Sequence, residues 1–276
     1  MKTVNALSID TEKTKNLLTG FIREKVAGAG YSKAVIGLSG GVDSSLSGYL
    51  AAEALGPENV MAVRMPYKSS SPESLEHAQM VIDDLGVEYL TVPITDMVDP
   101  LFAHFPEADQ IRRGNAMARA RMIVLYDQSQ AFEGLVVGTG NKTEFLLGYT
   151  TLYGDAACAF NPIGDLYKTQ VRQMAKAIGV PEAIISKPPS ADLWVGQTDE
   201  GELGFTYDEV DQLLFLLVDK EYSPEECINA GYPEQFVKDV ISLIRKNAFK
   251  RALPPIAKLG NRELTEEFLT FGDWGR

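Results

Sequence analysis

Apolar positions in the first half of the chain switch repeatedly between a helical period and short unbroken runs. From residue 10 to about 28, Leu17, Leu18, Phe21, Ile22 and Val26 fall on one side of a helix that Gly28 and Gly30 stop. Residues 34–38 form a short apolar run closed by glycines, the pattern of a buried strand. A helix is expected over 44–55, ended by Gly56-Pro57, and a second strand over 60–65. Ser71-Pro72-Glu73 opens another helix, with a serine cap, proline at the first helical position, and Leu75, Ala78, Ile82 and Leu85 at helical spacing. A third strand over 88–92, a long helix over about 114–131, a fourth strand over 135–139 and a helix over 167–178 continue the alternation. A short strand is expected at 183–185.

The pattern fails between 187 and 204, where Pro188, Pro189, Gly196, Gly201 and Gly204 interrupt it. A loop of this length in a compact protein usually moves or carries function, and it is expected to be a mobile lid. Three helices follow. Thr206-x-x-Glu209 and Ser223-x-x-Glu226 fit the capping box, and Phe236, Val237, Val240, Ile241 and Ile244 make an apolar stripe. Strands alternating with helices predict an α/β fold: a doubly wound, mostly parallel sheet flanked by helices, with additional C-terminal helices, in one domain over 1–276.

Composition removes several classes of function. The longest apolar run, 213–218, has six residues, far short of the roughly 20 that span a bilayer, so no membrane partner is expected. The first 15 residues hold no apolar segment of a secretory signal. Two cysteines suit a reducing, cytoplasmic setting. The net charge of −12 argues against a nucleic-acid partner without forbidding a polyanionic ligand.

The richest chemistry lies in Ala34-Val35-Ile36-Gly37-Leu38-Ser39-Gly40-Gly41-Val42-Asp43-Ser44-Ser45. A strand feeds Ser-Gly-Gly-x-Asp-Ser and a helix follows. Gly40 and Gly41 let backbone N–H groups approach an anion, the helix start adds partial positive charge, and Ser39, Ser44 and Ser45 add hydroxyls. This is a phosphate cradle, although it lacks the Gly-Lys-Ser/Thr of a Walker loop. Asp43 would repel phosphate unless a divalent cation lay between, so the loop implies Mg²⁺ bridged to pyrophosphate. Gly37-Leu38-Ser39-Gly40-Gly41 also matches the nucleophile elbow of α/β-hydrolases, but that chemistry needs a late histidine, and His77 and His104 both lie in the first half. A bland Gly/Ser turn is the third reading.

The loop resembles the pyrophosphatase loop of ATP-dependent adenylating enzymes. Ala62-Val63-Arg64-Met65-Pro66-Tyr67, Arg113-Gly114-Asn115, Ala118-Arg119-Ala120-Arg121-Met122, Gly138-Thr139-Gly140-Asn141-Lys142-Thr143-Glu144, Tyr153-Gly154-Asp155 and Lys187-Pro188-Pro189-Ser190-Ala191-Asp192-Leu193 together resemble the NAD⁺ synthetases. The resemblance covers about residues 10–255. It implies ATP contacts at Gly37, Leu38, Ser39, Gly40, Gly41, Val42, Asp43, Ser44, Arg64, Thr139, Lys168 and Ser190, and Mg²⁺ on Asp43 and Glu144. It also implies deamido-NAD⁺ contacts at Arg119 and Lys250, and a homodimer with that substrate in the subunit interface. Asp155 is the candidate to take a proton from ammonium. Arg119 and Arg121, two positions apart, cannot point the same way on a helix, so one should face ligand and the other an acid.

Three positions depart from the enterobacterial branch: Leu152 where a lysine stands, Ala159 in place of a second aspartate, and Phe249 in place of the histidine before Lys250. Asn161-Pro162-Ile163-Gly164-Asp165-Leu166-Tyr167-Lys168 is more similar to the glutamine-using branch, but only 38 residues precede Ser39, too few for a fused glutaminase. Cys158 and Cys227 are expected to be structural. The implied activity is amidation of deamido-NAD⁺ by ammonia with ATP. Another adenylating amidotransferase or thiolase, or a nucleotide-binding protein without catalysis, stays open.

Overall fold

A computed structural model describes residues 7–190, 192–194 and 196–257. The helix expected first is α1 (Thr11–Gly28), capped by the Asp10 carboxylate accepting from Lys13 N at 3.0 Å. Then come β1 (Lys33–Gly37), α2 (Val42–Leu55), β2 (Val60–Arg64), α3 (Pro72–Leu85), β3 (Glu88–Thr91), α4 (Thr95–Ala103), α5 (Gln110–Phe132) and β4 (Gly134–Val136). The four strands are parallel in the order β3-β2-β1-β4.

Strand alternation divides the core between the two faces of the sheet. Ala34 and Ile36 of β1, with Val60 and Ala62 of β2, pack toward Ile22 of α1, Leu46 and Leu50 of α2, and Val81 of α3. Val35 and Val63 point the other way, toward Val98 and Phe102 of α4 and Met117 and Val124 of α5. The chain runs outward from β1 to β2 and β3, then returns along α5 to lay β4 on the opposite side of β1. That reversal opens a crevice beyond the carboxyl ends of β1 and β4, the usual ligand position in such sheets.

After β4 come α6 (Lys142–Leu147), α7 (Lys168–Ala177), α8 (Glu182–Ile185), α9 (Asp199–Leu203), α10 (Tyr207–Leu214), α11 (Pro224–Asn229) and α12 (Glu234–Lys246). A single π-helical turn, Phe215–Asp219, continues α10. Tyr207, Val210, Leu213, Leu214, Cys227, Val237 and Val240 form a third apolar cluster with Leu147 of α6. The C-terminal helices therefore pack on the segment that carries the second half of the crevice. Both capping boxes are present, at Thr206/Glu209 and Ser223/Glu226.

The structure differs from expectation in three places. Residues 183–185 belong to the helical turn α8, not to a strand: Pro181 starts it, and Ile184 N reaches Pro181 O at 2.9 Å. The 187–204 segment contains α9, capped by Thr198. Helix α4, with Pro100 inside it, has no counterpart in the sequence reading. Among the described residues no helix is long and apolar enough to cross a membrane. Both cysteines are free.

Candidate active site

The crevice holds a cavity of about 920 Å³. One wall is the β1–α2 loop. Ser39 N donates to Ser44 Oγ at 3.2 Å, and Gly41 N to Ser39 Oγ at 3.2 Å. Ser44 and Ser45 hydroxyls both donate to Gly41 O, at 3.1 and 2.9 Å. The serines thus brace the turn. Among the described residues no side chain caps α2, whose first residues, Val42, Asp43 and Ser44, line the cavity, so its first N–H groups are available to an anion there. Gly40 has φ +81°, and a Cβ there would lie 2.1 Å from Ser74 O. Replacing it with alanine is expected to push the loop off α3 and cost both ATP affinity and about 1–3 kcal/mol of stability, measured by calorimetry and thermal melting. Ser39 is not among the residues with positive φ, and its hydroxyl meets only Ser44 and Gly41, so the strained, base-activated serine of a hydrolase elbow is missing.

Across the cavity, Asn141 closes a capping box on α6: it accepts from Glu144 N at 3.0 Å, and Glu144 Oε2 accepts from Asn141 N at 3.2 Å. The same asparagine donates to Asp43 Oδ1 at 2.8 Å, linking the loops after β1 and β4. Lys168, 2% exposed, places Nζ at 2.5 Å from Asp43 Oδ2 and 3.4 Å from Glu144 Oε1. Its ammonium also lies over the Tyr207 ring, 5.1 Å from the centroid. Burial alone would push that ammonium down, but Asp43, Glu144 and Asp199 outweigh it and hold Lys168 above its ordinary value. Burial first, and then the charge of Asp43, push Glu144 above its ordinary value against the pull of Lys168.

Seven carboxylates and four cationic side chains line the cavity. A polyphosphate would meet excess negative charge there. Asp43 and Glu144 offer hard oxygen ligands at one point, and one ammonium leaves them short of positive charge. These two fit a divalent ion such as Mg²⁺ whose remaining ligands are phosphate and water oxygens. Among the described residues no cluster of three or more His, Cys, Asp or Glu side chains could hold a metal without such help.

The lining also includes Thr139, Ser190, Asp155 and Lys250. Ser190 Oγ accepts from Asp192 N at 3.1 Å. Asp155 Oδ1 accepts from Thr151 N at 2.7 Å, and burial holds its carboxyl above the ordinary range. Lys250 donates to Gly148 O at 2.7 Å and Thr150 O at 2.8 Å; burial lowers its ammonium while Asp155 pulls it up.

A family model described as NAD synthase matches residues 14–254. The chain belongs to the NAD synthase family. It is 53% identical to an NH3-dependent NAD⁺ synthetase of Trichlorobacter lovleyi, over 99% of this chain and all of that protein. It is 48% identical to one of Chlorobaculum tepidum, over 97% of each. Among solved structures it resembles an NH3-dependent NAD synthetase of Campylobacter jejuni with TM-score 0.78 and 36% identity, covering 91% of this chain and 100% of that one. It also resembles an NMN synthetase of Francisella tularensis with TM-score 0.81 and 29% identity, covering 91% and 99%.

Three residues that the family resemblance singles out, Gly40, Arg64 and Arg119, stand outside the cavity lining; Gly40 is turned against Ser74 O. Arg64 donates to Thr91 Oγ1 at 3.1 and 2.8 Å and to Gln79 Oε1 at 2.6 Å, over the Tyr89 ring. Arg119 is exposed, with its guanidinium on Leu152 O at 3.2 and 3.3 Å. It is Arg121 that lines the cavity. Phe249 is 61% exposed, so the side chain next to Lys250 points away from the site. Three residues that sequence reasoning missed support the site, Asp199 from its lining and Tyr207 and Asp211 from behind. Asp199 accepts from Tyr149 and Tyr207 hydroxyls, at 3.2 and 3.1 Å. Fully buried Asp211 accepts from Thr143 Oγ1 at 2.5 Å and Thr169 N at 2.8 Å, while Thr143 Oγ1 takes Lys168 N at 3.0 Å. Tyr207 and Asp211 stand one turn apart on α10. In a lone sequence, that spacing reads as an ordinary amphipathic helix.

Proposed function

We propose that the chain catalyses ATP-dependent amidation of deamido-NAD⁺ to NAD⁺ with ammonia, releasing AMP and pyrophosphate. The observation that carries this reading is the convergence of Asp43, Glu144 and Lys168 before the uncapped start of α2, in one cavity with Asp155 and Lys250. A nicotinate carboxylate oxygen bonds to the α-phosphorus of ATP as the bond to pyrophosphate breaks. Ammonia then bonds to the acyl carbon, the acyl–oxygen bond to AMP breaks, and the new amide nitrogen loses a proton to water or to the departing phosphate.

In this reading Ser39, Gly41 and the first N–H groups of α2 hold the departing pyrophosphate, and Lys168 neutralises its charge. Bound Mg²⁺ would add Lewis-acid charge neutralisation, held by Asp43 and Glu144. Thr139 and Ser190, both in the cavity lining, would contact the nucleotide. Asp155, whose buried carboxyl binds a proton more readily than an ordinary aspartate, takes the proton that ammonium loses. Fixed positions and charges supply the rate, with no covalent enzyme intermediate.

The reading includes a homodimer with deamido-NAD⁺ across its interface. Exposed Ile123, Tyr126 and Tyr153 around Arg119 support it, as an apolar face suited to a second copy. The free cysteines support a cytoplasmic setting. The test is NAD⁺ formation by purified protein supplied with ATP and Mg²⁺, with ammonium or glutamine as donor and deamido-NAD⁺ or nicotinate mononucleotide as acceptor. Turnover is expected with ammonium and deamido-NAD⁺ and none with glutamine alone. Preference for the mononucleotide would move the assignment to NMN synthesis. ATP binding without AMP release would leave only a nucleotide-binding protein. Pyrophosphate release with xanthosine monophosphate or tRNA instead would point to a different adenylating enzyme.

A further inference from the structure

One wall of the cavity is formed by a stripe of α5. A Cβ on Gly114 would lie 2.8 Å from Leu193 Cδ1; Ala118 is packed against Gly154; Leu125 is packed against Gly37. Positions 114, 118, 121 and 125 share one helical face. Arg121 therefore stands between the 187–204 segment, the turn that carries Asp155, and the ends of β1 and β2.

Its Nε–H donates to Met65 O at 3.0 Å, which fixes the plane of the guanidinium. A guanidinium has five N–H donors, and among the described residues no acceptor takes the four on its two Nη atoms. Arg121 itself lines the cavity, where its two Nη groups can meet a ligand. The two nearest acids act on Arg121 only through their charge. Asp192 spends its oxygens on Ser71 N, at 3.0 and 3.3 Å, and Asp155 Oδ1 serves Thr151 N. Donors held in a cavity wall take acceptors, and a planar fork matches an oxyanion in bidentate fashion.

We propose that Arg121 is a substrate ligand whose two Nη groups grip an oxyanion of the reacting pair, the carboxylate of the acid substrate or the α-phosphate of ATP. This rests on the adenylating reading above, because those two groups must meet in the cavity, both are anionic before they join, and the α-phosphate stays anionic afterwards. Arg121 and Lys168 then hold opposite ends of the reacting assembly, one at the acyl junction and one at the pyrophosphate.

Arg121→Gln removes the fork and the charge but can still donate to Met65 O. Arg121→Lys keeps the charge and removes the fork. Each variant is melted, assayed for kcat and KM with ATP and deamido-NAD⁺, and titrated calorimetrically with AMP and with deamido-NAD⁺ separately. Both should melt within a few degrees of wild type and lose about 10- to 100-fold in kcat/KM, the scale of charge-assisted hydrogen bonds to an anion. Weakened AMP binding assigns the α-phosphate, and weakened deamido-NAD⁺ binding the carboxylate; either supports the proposal. Binding and turnover within about threefold of wild type would overturn it, leaving Arg121 as a tie between α5 and β2. If the glutamine variant does not fold, the lysine variant is judged by the same criteria. Wild-type protein that binds AMP but makes no NAD⁺ would defeat the reading of the reaction, while the AMP titration would still test Arg121.

Discussion

Asp43→Asn and Glu144→Gln should each abolish pyrophosphate release while leaving the fold in place. Both carboxylates touch the Lys168 ammonium, and Asp43 is also held by Asn141. Asparagine at 43 can still pair with Asn141, and the remaining carboxylate still neutralises Lys168, so neither change leaves a buried charge alone. In the proposed function, what is lost is one of two hard, anionic oxygen ligands for Mg²⁺. Losing even an outer partner of a metal typically costs about 10–100-fold, so a direct ligand should cost at least that. The measurement is pyrophosphate release over a Mg²⁺ titration, with a thermal melt as control. Activity within about threefold of wild type at ordinary Mg²⁺ would remove these two residues from the metal site.

Much of this site could be read from the sequence, because its parts are local. A strand end, three glycines, an acid and three hydroxyls within 37–45 suggest a phosphate loop, since that order can leave free N–H groups at a helix start. Glu144 follows the same logic at the end of β4. The partners from distant segments carry no local signal, and Lys168 is marked only by the family resemblance. Lys168 lies on the first turn of a helix, an unremarkable place for a surface lysine, and only tertiary packing brings it to Asp43, 125 positions earlier. Asp211 and Tyr207 read as ordinary positions of an amphipathic helix, yet the fold turns both inward. Of Arg119 and Arg121, spacing says that they diverge; which one enters the cavity depends on how α5 lies on the sheet. The fold divides similarly. Strands and long helices have clear periods, whereas α9, five residues long among glycines and acids, has too few positions to show one.

The last expectation concerns residues 187–204, which we propose act as a lid. They are fastened over the cavity chiefly by polar ties. Lys187 Nζ reaches Ser74 Oγ at 3.0 Å and Glu73 at 3.3 Å, and Asp192 accepts from Ser71 N. Tyr149 OH holds Asp199 and, at 2.8 Å, Glu202. Among its described residues, Leu193 joins the apolar cluster on that face of the sheet and Leu203 packs on the C-terminal cluster. Ties of this kind exchange readily with water, so opening should cost far less than global unfolding. Closure matters because an acyl-adenylate is open to attack by water at about 55 M, far above any ammonia concentration. Limited proteolysis should therefore cut this segment in ligand-free protein, and ATP, Mg²⁺ and deamido-NAD⁺ together should protect it. Asp192 has φ +51°, so Asp192→Ala both strains the backbone and removes the acceptor for Ser71 N. In that variant the lid should open during turnover, and NAD⁺ formed per AMP should fall from about one to below about one half as water captures the intermediate. Measuring both products in one reaction reads this directly. A ratio that stays near one in Asp192→Ala, with cleavage equally fast with and without ligands, would make the segment a surface loop.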